Sequence, residues 1–210
     1  MIKVLLVDDH TIFRDGLKRL LHEEADIQVH AEASDVTQAI THLRASAFDL
    51  VLLDINMPGR SGLDVLPVIR AEWPALPVIV LSMYPTEQYV LRALDLGASG
   101  YVTKDMDSTE LLESIRKVAN GGKYFPMDAL DKILTHMSAD SNAAPHHALS
   151  PREFEIMLLI VQGERLVDIG KKLFLSVKTV STYRSRILGK LQISSNAELA
   201  QYALRHQIID

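Results

Sequence analysis

Three short apolar runs each end in residues that carry chemistry, and no other feature limits the fold of this chain as much. Val4-Leu5-Leu6-Val7 leads into Asp8-Asp9, Leu50-Val51-Leu52-Leu53 leads into Asp54, and Gly100-Tyr101-Val102-Thr103 leads into Lys104. Runs of this length, rich in Val, Leu and Ile and separated by helix-like stretches, read as buried parallel strands. Ligands of such sheets sit outside the carboxyl ends of the strands, so the four side chains are expected to converge. Three carboxylates in one crevice repel one another unless a cation joins them, and a hard, oxygen-seeking Mg2+ suits them. The lysine adds an ammonium point charge for an incoming phosphoryl group.

The pattern repeats along the first part of the chain. Strands are expected near 2–7, 27–33, 48–53, 77–82 and 99–102, and helices near 11–23, 35–45, 61–72, 86–96 and 107–120. Right-handed crossovers then put helices on both faces of a five-stranded parallel sheet, as in flavodoxin-like folds. Asn120-Gly121-Gly122 has the composition of a helix C-cap and stops the last of these helices.

Residues 1–124 resemble a response-regulator receiver domain. The resemblance is carried by Asp8-Asp9, Asp54 with Met57-Pro58-Gly59 and Gly62, Ser82 closing the fourth apolar run, Gly97-Ala98-Ser99-Gly100-Tyr101, and Lys104. It implies that Asp54 accepts a phosphoryl group from a sensor histidine kinase or phosphotransfer protein. It further implies that Asp9 and Asp54 ligate Mg2+ directly, that Asp8 acts through water, and that the backbone carbonyl of Asn56 completes the protein ligands. Lys104 would meet the phosphoryl oxygens, Ser82 would donate its hydroxyl to them, and Tyr101 would swing between exposed and buried positions. On the residues alone, Ser82 reads as a strand-end hydroxyl and Tyr101 as a half-buried strand aromatic. Two positions depart from the commonest pattern: Asp105 follows Lys104 where Pro is frequent, and Met83 follows Ser82 where a small residue is frequent.

From 125 to 147 the character changes. Residues 128–137 have the composition of a short helix, but Ser138 to His147 are small and polar, so 125–147 reads as a linker. His146-His147 offers a metal two donors with no third nearby, and a solvated pair is the plainer reading. Ser150-Pro151-Arg152-Glu153 then opens a helix as a capping box with Pro at its first position. Further helices fit 167–174, Ser176 to Leu191 and 196–205.

Net charge divides at the same place. Residues 148–210 hold nine Lys and Arg against six Asp and Glu, a net +3, while the rest of the chain carries −8 of the overall −5. A basic second part suits a polyanion. Residues 149–203 resemble the DNA-binding domain of the NarL/FixJ (LuxR-type) regulators. The motif is Leu149 to Glu153, Gly163, Asp168-Ile169-Gly170-Lys171-Lys172-Leu173, Leu175-Ser176, Lys178-Thr179-Val180 and Lys190-Leu191. At about 100° per residue, Val177, Val180, Ile187, Leu188 and Leu191 form one stripe of the third helix. Lys178, Thr179, Thr182, Ser185, Arg186 and Gly189 lie opposite, with no acid from Ser176 to Leu191. The resemblance implies base contacts by Ser181, Thr182 and Ser185, and backbone contacts by Lys178, Thr179, Tyr183 and Arg186. Ser181 and Tyr183 stand where Lys and His are frequent. Arg184 falls among the apolar positions, so its stem is expected to pack while its head reaches out.

The fold expected is thus a flavodoxin-like receiver over 1–124, a linker over 125–147 and an all-α four-helix helix-turn-helix domain over 148–210. The function expected is a two-component transcription regulator, not an enzyme. Phosphorylation would control homodimerisation and binding to inverted-repeat promoter DNA, with RNA polymerase as a further partner. The chain has no cysteine, which excludes disulfides and thiolate chemistry. It lacks a signal-peptide pattern and an apolar run of membrane-spanning length, so a cytoplasmic location is expected. Two other readings are a Mg2+-dependent phosphotransferase or phosphatase with an Asp nucleophile, and a receiver-controlled protein adaptor. Haloacid-dehalogenase-like enzymes place two acids two residues apart after the first strand, whereas Asp8 and Asp9 are adjacent.

Overall fold

The structure is a computed structural model that describes residues 1–55, 57, 61–83, 87–127, 145–206 and 208–209, except for the side chains of residues 87, 88 and 147. The short helix read over 128–137 and linker residues 138–144 lie outside these residues. The chain forms two compact units, Met1–Ser138 and Ala139–Asp210.

In the first unit, strands β1 (Ile2–Val7), β2 (Ile27–Ala33), β3 (Leu50–Asp54), β4 (Val78–Ser82) and β5 (Gly100–Thr103) alternate with helices α1 (Thr11–His22), α2 (Val36–Ala45), α3 (Leu66–Glu72), α4 (Glu87–Asp95) and α5 (Ser108–Ala119). All strand pairs are parallel, in the order β2-β1-β3-β4-β5. The central strands β3 and β4 are buried at every position, which is why their apolar runs do not alternate with polar residues. Leu17 and Leu21 of α1 and Leu111, Leu112, Ile115 and Val118 of α5 close a core with Val4, Leu6, Leu50, Leu52 and Ile79. Each such side chain stabilises the fold by about 1.5–3 kcal/mol relative to exposure.

Register brings the functional strand ends level. Val7 pairs with Leu53, Asp54 with Leu81, and Ser82 with Thr103, so the chain leaves β1, β3, β4 and β5 at one edge of the sheet. Tyr124 adds a single bridge to β5 at Gly100, where its carbonyl accepts the Tyr101 N–H at 2.8 Å.

The helix expected over 61–72 is split. A 3-10 turn, Gly62–Val65, precedes α3. Pro67 has no N–H for the carbonyl four residues back, so a regular ladder cannot run through this point.

The second unit holds a 3-10 turn, Pro145–Ala148, and helices α6 (Pro151–Val161), α7 (Leu166–Lys172), α8 (Val177–Leu191) and α9 (Asn196–Arg205). The capping box at α6 is complete: the Glu153 N–H donates to Ser150 Oγ at 3.2 Å, and the Ser150 N–H to Glu153 Oε2 at 2.7 Å. Between α7 and α8 the chain turns tightly over Gly170, where an added Cβ would meet the Leu175 carbonyl oxygen at 2.8 Å. Val180, Ile187, Leu188 and Leu191 of α8 are buried, as their phase requires. Val177 differs, at 44% exposed. It stands at the first helical position, where the stripe has a helical neighbour on one side only. No described helix is long and apolar enough to cross a membrane.

Candidate functional site

Asp8, Asp9, Asp54 and Lys104 meet at the carboxyl ends of β1, β3 and β5. Asp8 and Asp54 are fully buried, and the Lys104 side chain is nearly so. The ammonium lies 2.6 Å from Asp8 Oδ2 and 3.0 Å from Asp54 Oδ2. Beneath it, the Phe13 ring of α1 has its centroid 4.6 Å from Lys104 Nζ, which holds the ammonium by a cation–π contact. The Asp8 carboxylate also accepts the His10 N–H at 2.7 Å, so its orientation is fixed from two sides. Asp9 Oδ1 is buried, with His10 Nδ1 3.0 Å away.

Three carboxylates around one lysine leave an excess of negative charge in a water-poor crevice. Together with the buried Asp9 oxygen, this is the donor set that a hard divalent cation fits. Asn56, whose carbonyl the resemblance adds to this set, lies outside the described residues.

The loop after β3 is gathered onto one carbonyl. Ile55 O accepts the Gly62 N–H at 2.8 Å and the Met57 N–H at 3.1 Å, and Ser61 Oγ lies 3.4 Å from it. Gly62 is required by contact, since a Cβ there would stand 1.8 Å from the Asp54 carbonyl oxygen. Ser82 is buried at the end of β4, and Tyr101 is buried with it. Burial pushes the Tyr101 phenol above its ordinary range, and a hydrogen bond with Ser82 offsets this in part. Tyr101 is thus fully buried, where the residues alone suggest a half-buried aromatic. Met83, in contrast, is 63% exposed.

On α8, Lys178, Ser181, Thr182, Ser185 and Arg186 are exposed, while Thr179 and Tyr183 are half-buried. Thr179 belongs to the cap: its N–H donates to Ser176 Oγ at 3.0 Å, and the two hydroxyl oxygens lie 2.8 Å apart. The Thr182 and Ser185 hydroxyls donate to the Lys178 and Ser181 carbonyls at 3.0 and 3.1 Å. Arg186 stands over the Tyr183 ring, 5.9 Å from its centroid. The Arg184 head donates through Nε to Asn196 Oδ1 at 2.6 Å, tying α8 to the start of α9.

Some structural residues are not anticipated from sequence. Arg152 and Glu155, both buried, pair at 2.5 Å, and Arg152 also donates to the Leu173 carbonyl at 2.8 Å, which fixes the end of α7. A capping box and helical phase cannot show where a buried cation finds its partner. His146 is also not a solvated linker residue. Its Nδ1 lies 3.0 Å from the Tyr202 hydroxyl, and its ring packs against those of Phe154, Tyr202 and His206.

The fold and the crevice define a receiver joined to a helix-turn-helix unit. Residues 4–116 match the family described as the response regulator receiver domain, and residues 147–203 match the bacterial regulatory proteins of the luxR family. The chain belongs to the two-component response regulators of the NarL/FixJ family, with a LuxR-type DNA-binding domain. It is 38% identical to the response regulator GacA of Pseudomonas syringae over 211 residues, covering 100% of this chain and 99% of that one. It is 36% identical to the response regulator UvrY of Escherichia coli K12 over 207 residues, covering 98% and 95%. The response regulator RcsB of Salmonella enterica serovar Typhimurium, solved bound to a promoter with the phosphomimetic BeF3−, superposes with a TM-score of 0.59 at 28% identity, over 96% of this chain and 97% of that one. This membership in a family of regulators displaces the Asp-nucleophile enzyme and the adaptor as readings of the chain.

Proposed function

We propose that Asp54 accepts a phosphoryl group from a phosphohistidine of a sensor kinase or phosphotransfer protein, and that the aspartyl phosphate controls DNA binding by the second unit. The observation that carries this reading is Asp54 Oδ2 at 3.0 Å from the buried Lys104 ammonium, in a crevice shared with Asp8 and Asp9. A carboxylate oxygen of Asp54 forms the new bond to phosphorus as the phosphorus–nitrogen bond breaks, and the imidazole leaves. Such transfer asks the protein for positioning and charge neutralisation more than for acid–base chemistry. Asp8, Asp9, Asp54 and the Asn56 carbonyl would hold Mg2+. When bound, the ion supplies neutralising charge for the phosphoryl oxygens. Lys104 binds one of those oxygens, and the Ser82 hydroxyl is re-aimed to another.

Ser82 bonds to Tyr101 in the structure, so recruiting it to a phosphoryl group removes a partner from the buried phenol. Tyr101 then moves, and the surface around it is remade for a homodimer. Two-fold symmetry matches an inverted repeat in promoter DNA. Ser181, Thr182 and Ser185 face base edges, and Lys178, Thr179, Tyr183 and Arg186 meet the backbone. That RcsB is solved bound to DNA supports the coarser reading, DNA binding by the second unit. This account places the protein in the cytoplasm, with RNA polymerase as a further partner at the promoter.

The direct test is mass spectrometry after incubation with a small phosphodonor and Mg2+. The adduct is expected on the peptide containing Asp54 and absent from Asp54→Asn. An equally modified Asp54→Asn protein would refute the assignment.

A further inference from the structure

His10 follows the paired acids and stands at the N-cap of α1, but its side chain does not cap the helix. Its imidazole is turned into the crevice instead. Nδ1 lies 3.0 Å from Asp9 Oδ1, 3.3 Å from Asp8 Oδ1 and 3.7 Å from Asp54 Oδ2. One ligand atom from each of these four residues falls within 4.8 Å of all the others. Donors about 2.0–2.2 Å from a metal lie no more than about 4.4 Å apart, so these atoms need to draw together by only a few tenths of an ångström to share one coordination shell.

We propose that His10 is a nitrogen donor to the divalent ion of this crevice, giving the site a preference for a borderline ion of the Co2+ or Zn2+ class over Mg2+. The proposal rests on the reading of the crevice as an ion site. Mg2+ takes oxygen donors and keeps several waters, so an imidazole adds little to its hold. Imidazole nitrogen suits the later transition ions, whose affinity for mixed nitrogen and oxygen sites rises along the first row. The donor set of three carboxylates and one imidazole is therefore one that discriminates between the two classes. Two features position His10 for this. Its backbone N–H is held by Asp8 Oδ1 at 2.7 Å, and its side chain is 51% exposed, so the ring sits at the mouth of the crevice and can close on an ion without disturbing the core.

The experiment titrates the full chain with MgCl2 and, separately, with CoCl2. Calorimetry gives the affinities, and the visible absorption of Co2+ reports the ligand field. Wild type, His10→Ala, His10→Gln and Asp9→Asn are compared, each checked for an unchanged melting temperature. The ratio of Co2+ to Mg2+ affinity is expected to fall about tenfold or more in both His10 variants, with a shifted Co2+ spectrum. An unchanged ratio together with an unchanged spectrum would overturn the role of His10. Asp9→Asn reports on the underlying reading instead, since binding of both ions unaltered in that variant would mean that the crevice is not the ion site.

Discussion

Lys104 Nζ stands 3.0 Å from Asp54 Oδ2 at the bottom of a crevice that also encloses Asp8, and the lysine side chain is only 4% exposed. The pair is electrostatically incomplete, because Asp8 and Asp9 bring two further carboxylates to one ammonium. Removing one member of a buried pair costs about 3–5 kcal/mol. Lys104→Met should therefore destabilise the receiver strongly in chelator, and by less in millimolar Mg2+, because carboxylates relieved of the competing ammonium bind the ion more tightly and gain more from it than wild type does. Urea unfolding followed through Trp73, the single tryptophan of the chain, measures both. A deficit that is the same with and without Mg2+ would contradict the shared site.

Gly62 is held against the backbone of Asp54. In Gly62→Ala the new Cβ would start 1.8 Å from the Asp54 carbonyl oxygen, so β3 or the loop must move. Overpacking of this kind typically costs about 1–3 kcal/mol. Phosphodonor labelling of Asp54 should drop with it, because the carboxylate is displaced from Lys104. Labelling at the wild-type rate in a folded Gly62→Ala protein would contradict this coupling.

In the second unit, Lys190 Nζ lies 2.6 Å from Glu153 Oε2 and joins α8 to the start of α6. Burial alone would raise the Glu153 carboxyl, but Lys190 and the Ser150 N–H outweigh it and hold the group below the usual carboxylate range. A carboxyl lowered in the folded state contributes stability above its unfolded value, and that contribution is lost as pH falls through the folded value. The calorimetric transition of this unit should therefore weaken below about pH 4.5, the ordinary value for Glu. Lys190→Met should be less stable at neutral pH and flatter across this window. A variant with the wild-type acid profile would count against the pair.

Contacts to phosphate and to bases separate by their salt dependence. Lys178→Ala should weaken binding across all sequences and reduce the slope of log affinity against log salt by about 1. Thr182→Ala or Ser185→Ala should instead relax preference at one position, costing about 1–3 kcal/mol there. Anisotropy titrations over a salt series distinguish the two. An unchanged salt slope in the Lys178→Ala, Arg186→Ala double variant would remove α8 as the DNA-facing helix.

Much of this is written in local pattern. The buried strands announce themselves as continuous Val, Leu and Ile runs, and the residues that follow each run are set level by register alone. The α6 cap is equally local, since Ser150 and Glu153 are three residues apart. What sequence does not reveal is pairing across distance. Nothing local to Phe13 shows that the Lys104 ammonium stands over its ring. Likewise, nothing local to Arg152 shows that it is buried or that the Leu173 carbonyl accepts its hydrogen bond. His10 carries a signal that could have been used, since it adjoins two acids already singled out. His146 looks like linker because its neighbours are small and polar, yet its partner Tyr202 is 56 residues away.

The central claim is that the state of Asp54 sets the affinity of the second unit for DNA. It is tested most directly by footprinting the full chain to locate its sites, then titrating one such fragment with wild type and Asp54→Asn, each with and without a small phosphodonor and Mg2+. Wild type should bind about tenfold or more tightly with the phosphodonor, a gain of about 1.4 kcal/mol, while Asp54→Asn shows no change. Equal responses of the two proteins, or no response of the wild type while Asp54 is shown to be phosphorylated, would contradict it.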